Sequence, residues 1–489
     1  MKNLEELNKI EKELTLLRGI ETLLDFDHET IMPKAAVPQR ADQTAYISTK
    51  IHEIMTSDNL SKLISHLEKE KLSRIEKIRV KKLKKEITKA KSLPPEFVKE
   101  LAHHKSLSFH AWEQARKNND FSGFAKELNK MIELQKKKAH FIDPKEHPYN
   151  VLMDDFEEGM TIDKVKNVLE ELKIGLMKLI KKIPTQKYIL EGKTFPIDGQ
   201  EYIVNDIKKK MLMEEDRSLL ALSTHPFTTR ISKDDVRITT AFREHQPLFS
   251  LTSTMHEAGH GLYELGFPKK FENTILFDSP SYGMHESQSR FWELFIGLSR
   301  EFWEGYYPTY QKTFSELKNV LLEDFYRAIN IVQPTPVRIE SDEVHYCLHI
   351  IIRFEIELAL MEGKIQTKDL PKIWNEKYKE YLGIEPKTFT EGVLQDVHWA
   401  QGYFGYFPTY AIGTMYAAMI FKTLCEKEKN TIKNIEKLNF KPILEFLRKN
   451  IHWYGASMLA EEIIKKLTGK KLTPNDFLSY LEEKYSSMF

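Results

Sequence analysis

The stretch LTSTMHEAGHGLYELG, residues 251–266, reads as a helix that carries chemistry. His256 and His260 stand at i and i+4, so both rings lie on one helix face and can reach a single tetrahedral metal ion. Glu257, one position after the first histidine, is placed to hold a metal-bound water and take its proton. Taken alone, the pattern also fits a helix with two surface or core-edge histidines. The surroundings decide between the two readings.

Outward from this stretch, helical periodicity dominates. Ile47, Ile51, Ile54 and Met55 recur at helix spacing, as do Leu60, Leu63, Ile64 and Leu67, with charges between them. Pro94 and Pro95 interrupt the pattern before a further helical stretch to about residue 140. Thr161 is placed to cap a helix whose buried stripe reads Val165, Val168, Leu169, Leu172. The basic runs at 81–91 and 135–140 interleave lysines with apolar positions and read as solvated helix faces. Strand signals are few: EYIVND (201–206) and VRITTAF (236–242), both just upstream of the histidines. With no linker, low-complexity tract or repeat, the expectation is one helical body over 1–489. Its helical N-terminal part runs to about 145, its motif-bearing part covers about 149–489, and a small β-sheet lies beside the site.

Composition excludes several classes. Lys plus Arg (73) nearly cancels Asp plus Glu (72), and a net charge of +1 offers no field to recruit nucleic acid. The charged N-terminus lacks a secretory apolar stretch, and no segment approaches a membrane span, so a cytoplasmic location is expected. Two cysteines, Cys347 and Cys425, are too few for a disulfide framework and read as small buried hydrophobes. Abundant Lys and Glu fit a thermophile's surface ion pairs.

A catalytic zinc needs a third protein ligand, often a carboxylate from a second helix, and one open position. Glu264, Glu272, Asp278, Glu286 and Glu293 are all candidates by distance in sequence. Glu264 shares the histidine helix and would point past the metal, while Glu272 and Asp278 read as loop. Glu286 sits near the start of the next helix, with Glu293 two turns along the same face. A helix-terminal charge complementing the dipole is the plain alternative for Glu286.

Ordered motifs then make a family resemblance specific. They are His225-Pro226-Phe227; Asp235, Arg237 and Thr239 as Asp-x-Arg-x-Thr; His256 to His260; and His285-Glu286-Ser287-Gln288. Arg338 and Asp342 follow, then Gly392, Gln395, Asp396, His398 and Trp399, and the tail stretches LRKNIHWYG (447–455), LTGKKLTP (467–474) and YLEEKY (480–485). This chain resembles the carboxypeptidase Taq family, thermostable zinc metallocarboxypeptidases, from about residue 149 onward. The N-terminal third is similar in helical character only. Ser341 departs from the family's usual alanine. The resemblance implies His256, His260 and Glu286 as zinc ligands and Glu257 as general base. It further implies a mainly α, saddle-like fold of the neurolysin-like gluzincin type, with a deep groove and usually a homodimer. A thermolysin-like arrangement would want an aspartate four residues after the third ligand, where this chain has Arg290.

Hydrolysis places negative charge on the carbonyl oxygen, which calls for a donor; His225, His398 and Tyr410 are candidates. A core histidine bonded to backbone and a tyrosine anchoring a proline turn are the plain alternatives. An exopeptidase must also hold a free C-terminal carboxylate, for which a guanidinium fork is well shaped. Arg237 and Arg338 are the arginines within motifs, with Gln395 a further substrate-binding candidate. Arg338 could instead pair with Asp342 one helical turn on. The expected activity is removal of C-terminal residues from peptides of broad sequence. An oligoendopeptidase of related helical fold is the alternative, and a non-catalytic helical scaffold is disfavoured by Glu257. His/His/Glu ligation also suits Co2+ or Mn2+.

Overall fold

The apolar spacing between residues 47 and 67 becomes two helices, Val37–Thr56 and Asp58–Leu67, in the computed structural model, which describes residues 2–184, 186 and 188–488. Ser57 divides them and caps the second by accepting the Leu60 N–H at 3.2 Å. Pro94 and Pro95 mark a boundary as expected: Arg74–Ser92 ends before them, and Pro95 opens Pro95–Asn118 in the first helical turn, where a missing N–H costs nothing. Thr161 caps Ile162–Ile180, with Val165, Leu169 and Leu172 buried and Val168 half-buried. In the 81–91 run, Leu83 and Ile87 face inward while Lys81, Lys84 and Lys91 are exposed and the other lysines half-buried. Cys347 is buried and Cys425 half-buried. Among the described residues no helix is long and apolar enough to cross a membrane.

The chain divides into two compact units: Met1–Lys91, Ile189–Ile329 and Ala417–Lys471 form the first, and Ser92–Tyr188, Asn330–Tyr416 and Leu472–Phe489 the second. In the first, the elements that matter are α1 (Lys2–Thr30), α2 (Ile197–Lys210), β1 (Ser218–Leu222), β2 (Thr228–Ser232), β3 (Asp235–Thr240), α3 (Phe249–Leu265) and α4 (Tyr282–Arg290). The strands form one sheet in the order β1-β3-β2, with β1 parallel and β2 antiparallel to β3. Thr228 lies opposite Ile238 and Thr229 opposite Arg237. β3 fulfils the strand expected at 236–242.

The strand expected at 201–206 is absent, because those residues lie inside α2. Gln200, Ile203, Val204 and Ile207 are its buried positions, spaced i, i+3, i+4, i+7, and this one-sided burial overrides the local β preference of Tyr, Ile and Val. Asp198 in its first turn and Lys208 to Lys210 in its last complement the helix dipole.

The second unit is organised on α5 (Tyr346–Met361), which buries Arg353 and Glu357 among its apolar side chains. α6 (Leu370–Leu382) packs beside it and contributes Trp374 and Tyr378. α7 (Pro408–Lys427) begins in this unit with Tyr410. A buried pair between Lys484 and Glu343 (2.5 Å), joined by the Tyr485 hydroxyl (2.9 Å), ties down the C-terminal helix.

Candidate metal centre and active site

α3 and α4 bring the three expected metal-binding side chains together. His256 Nε2 lies 3.6 Å and His260 Nε2 3.5 Å from Glu286 Oε2, and the three ligand atoms all fall within 4.8 Å of one another. Metal–ligand bonds of 2.0–2.1 Å in a tetrahedron put ligand atoms roughly 3.3–3.4 Å apart, close to the two histidine–glutamate separations here, so the donor set fits a divalent ion. Gly259 is what lets the helices meet. A Cβ there would stand 2.6 Å from the Gln288 carbonyl oxygen and 2.8 Å from Ser289 Cα.

The carboxylates around these histidines are held in defined places. Glu293 Oε2 faces His256 Nδ1 at 2.7 Å, which leaves Nε2 for a metal. It belongs to Phe291–Gly297, a widened π-helical turn that continues α4, for which no signal was read in the sequence. Arg290 donates to Glu286 Oε1 (2.8 Å) and to Glu293 Oε2 (3.1 Å). Glu264 is turned away from this cluster, facing His285 Nε2 at 2.8 Å and Arg230 Nε at 2.9 Å. The His285 ring stacks on His260 at 4.4 Å.

Charge in this buried space is unevenly shared. Burial pulls His256 down, yet the Glu286 and Glu293 carboxylates outweigh it and hold the ring up at about 9. His260 goes the other way, to about 3, through burial and the neighbouring His285. Burial opposes ionisation of Glu286, but His256 and Arg290 hold its carboxyl well below the usual carboxylate range. The site therefore offers a cation an ionised carboxylate at Glu286 and a neutral imidazole at His260, while a cation at His256 must displace that ring's proton. Glu257 is buried too, and burial raises its pKa despite His256 and a short hydrogen bond. That bond comes from Thr228 on β2, whose hydroxyl lies 2.6 Å from Glu257 Oε2 and 2.8 Å from the Glu257 carbonyl oxygen.

The other candidates in the first unit sit apart from this cluster in their bonding. Arg237 makes a two-pronged pair with Asp235 (2.9 Å each), its guanidinium 4.8 Å from the centre of the Phe26 ring. His225 is exposed in the loop between β1 and β2, where its carbonyl accepts from Ser223 Oγ at 2.7 Å.

Arg338, Gln395, His398 and Tyr410 form a second cluster, within the second unit. The pairing of Arg338 with Asp342, the plain alternative to substrate binding, does not form. Arg338–Glu340 is a single 3-10 turn and the backbone extends at Ser341, so the two residues are not stacked on a helix. Asp342 instead accepts the Val344 and His345 N–H groups (2.9 Å each) and faces His345 Nδ1 at 2.8 Å. The partner of Arg338 is Asp396 Oδ1, at 3.1 Å from Nε and 2.8 Å from Nη2, while Nη1 donates to Tyr346 Oη at 3.0 Å. Asp396 Oδ2 accepts from Arg353 Nε at 2.6 Å. Gln395 clasps the chain itself: its Oε1 accepts the Arg338 N–H (2.8 Å) and its Nε2 donates to the Glu391 carbonyl (2.7 Å). His398 Nε2 meets the Tyr410 hydroxyl at 3.2 Å, and burial, reinforced by Arg338 and Arg353, holds this ring down at about 3. Below them Glu357 accepts from Tyr149 Oη (2.8 Å), Trp399 Nε1 (2.8 Å) and the Gly405 N–H (3.1 Å), tying down the segment between His398 and Tyr410.

Three residues of the site escaped the sequence reading. Arg290 stands at i+4 from Glu286, a legible ion-pair spacing, and the sequence offers Glu293 only as a candidate ligand. Thr228 carries no local signal, because sheet pairing alone places it against α3.

A model of the carboxypeptidase Taq (M32) metallopeptidase family matches residues 6–485 of this chain. The chain belongs to that family. Carboxypeptidase 1 of Bacillus subtilis (strain 168) is 37% identical over 500 aligned positions, covering 99% of each chain. Thermostable carboxypeptidase 1 of Thermus thermophilus is 34% identical over 505 positions, covering 99% of this chain and 98% of that one. The crystal structure of an M32 carboxypeptidase from Deinococcus radiodurans R1 matches with a TM-score of 0.97 at 32% identity, over 100% of this chain and 99% of the other. As a carboxypeptidase Taq family member the protein is a metallocarboxypeptidase, a peptide hydrolase that uses a metal cofactor. The match also takes in the N-terminal third, where the motifs gave out and only helical character had been legible.

Proposed function

We propose that this protein is a zinc-dependent carboxypeptidase that releases single amino acids in succession from the free C-terminus of peptides of broad sequence. His256, His260 and Glu286 hold the metal, and the observation that carries the reading is the convergence of their three ligand atoms beside the buried Glu257. When bound, a divalent ion there polarises the scissile carbonyl and lowers the pKa of water towards neutrality.

Glu257 accepts the proton of the attacking water and passes it to the leaving amine. Its carboxyl, raised by burial, is closer in pKa to the working pH than an exposed glutamate, as a general base should be. The Thr228 hydroxyl fixes which way that carboxylate points. For the developing oxyanion the donors proposed are Tyr410 and His398, the latter neutral at working pH and so able to donate from one nitrogen, with His225 as a further contributor.

Arg338 is the group we propose for the substrate's terminal carboxylate. Three of its five N–H donors are fixed by Asp396 and Tyr346, so the fork is held rigid with two donors left over. Gln395 serves the same end by fixing the Arg338 backbone, and Arg237 closes the binding region. We read residues 1–489 as one catalytic domain, in keeping with a family match that runs through both units. Cytoplasmic, homodimeric and thermostable character belongs to the same proposal. The name of the Thermus relative and the Lys- and Glu-rich surface support the last.

The test is mass spectrometry of products from one N-blocked peptide and its C-terminally amidated twin. A charge-assisted pair to the free carboxylate stabilises by about 1.5–3 kcal/mol, so the free acid should be preferred roughly ten- to over a hundredfold. Internal cleavage of the amide at the rate of the free acid would make the enzyme an oligoendopeptidase.

A further inference from the structure

Glu286 has two carboxylate oxygens, and the structure treats them differently. Oε2 faces both histidines, at 3.6 and 3.5 Å, and accepts from Ser289 Oγ at 3.0 Å. Oε1 accepts from Arg290 Nε at 2.8 Å. The same guanidinium reaches Glu293 Oε2 at 3.1 Å, and that oxygen lies 2.7 Å from His256 Nδ1. A closed ring results: His256 Nε2, Glu286, Arg290, Glu293 and back to His256 Nδ1. Its Arg290 side chain is 11% exposed, so the fork is largely desolvated.

We propose that Arg290 is a positioning residue that makes Glu286 a one-oxygen metal ligand and, through Glu293, orients His256. This rests on the reading of His256, His260 and Glu286 as the metal ligands. With Oε1 held, Glu286 presents Oε2 alone, which keeps a coordination position open for water and substrate. A planar fork is the side chain suited to the task, because Nε and Nη1 point in fixed directions at two different carboxylates. Lysine, a point charge on a flexible stem, can hold one of them at a time.

Charge and orientation make opposite predictions, which is what renders the role testable. Removing a cation from beside an anionic site favours binding of a divalent ion by charge alone. Losing a partner that orients two ligands weakens it, by roughly ten- to a hundredfold for groups that support metal ligands. The experiment is a titration of metal-stripped, full-length protein with Zn2+ against a chromophoric chelator, paired with the visible spectrum of the Co2+ form. Wild type is compared with Arg290→Lys, Arg290→Met and Glu286→Ala. Arg290→Met should bind Zn2+ ten- to a hundredfold more weakly, and its Co2+ absorption should weaken as the freed carboxylate adds a second oxygen ligand. Arg290→Lys, which keeps the charge and loses the fork, should fall between. It carries the test alone if Arg290→Met does not fold. Wild-type affinity with a wild-type Co2+ spectrum in Arg290→Lys, or tighter binding in Arg290→Met, overturns the proposal. Glu286→Ala keeps the two readings apart: metal retained in that variant refutes the ligand set itself, whereas metal lost there with silent Arg290 variants refutes only the role of Arg290.

Discussion

Replacing Asp396 with asparagine removes the one carboxylate that Arg338 and Arg353 share. Both arginines are buried, Arg353 with a side-chain exposure of 0%. The Arg338 fork contacts Oδ1 twice and Arg353 Nε contacts Oδ2, so whichever oxygen becomes an amide turns its own N–H groups on guanidinium donors. Breaking a buried ion pair by removing one partner typically costs about 3–5 kcal/mol, because the remaining charge stays desolvated. At 1.4 kcal/mol per tenfold, that is roughly a hundred- to several-thousandfold in local opening. Hydrogen exchange read by mass spectrometry on peptides from α5 and from residues 392–407 measures it directly, and KM for free-acid peptides should rise in the same variant. The sign against pH is fixed as well. The two guanidiniums outweigh burial and hold the Asp396 carboxyl below the usual range. Its share of stability is therefore complete above about 3.9 and lost as the pH falls below that. Exchange in Asp396→Asn within about fivefold of wild type at pH 7, under roughly 1 kcal/mol, would refute the reasoning.

Glu257→Gln should keep its metal by elemental analysis and lose on the order of a hundred- to ten-thousandfold in kcat; activity within a few-fold of wild type would exclude it as the base. Glu286→Ala should lose the metal and Glu293→Ala should weaken it by roughly ten- to a hundredfold, while Glu264→Ala, whose partners are His285 and Arg230, should leave metal content near wild type. Glu357, pushed by burial up to about 7 from an ordinary value of 4.5, should contribute stability fully below pH 4.5 and lose about 3 kcal/mol of it as the pH rises through 7. Thermal midpoints of wild type and Glu357→Gln across pH 4.5–8 should diverge over that window, and parallel curves would count against it.

Features set by local spacing were legible in the sequence. The i, i+4 histidines, the break at Pro94 and Pro95, the Thr161 cap and the inward faces of the lysine-rich helices need only helix periodicity. What depended on distant packing was not. The segment 201–206 has strand-forming residues, yet its burial pattern in α2 comes from neighbours far along the chain. Asp342 sits four residues from Arg338, whereas its true partner, Asp396, is fifty-eight away, and nothing in residues 338–342 announces a 3-10 turn followed by extension. Thr228 shows the same limit, since only the antiparallel register of β2 against β3 delivers its hydroxyl to Glu257.

Gly259 joins folding to metal loading. His256 and His260 belong to one helix, but Glu286 belongs to another, so no local segment of unfolded chain holds all three ligands at bonding distance. On the proposed ligand set an ion would bind the packed helix pair and not its parts, and each increment of affinity would become an increment of stability. At a free metal concentration a thousand times Kd, this linkage contributes about 4 kcal/mol. It depends on the helix pair staying packed, and the closest approach is where the Gln288 carbonyl lies 2.6 Å from the position a Cβ of residue 259 would take. With no methyl group there, an ion held by the proposed ligands would be a brace between α3 and α4 as well as a reagent, so a chelator should loosen the scaffold while it stops the chemistry.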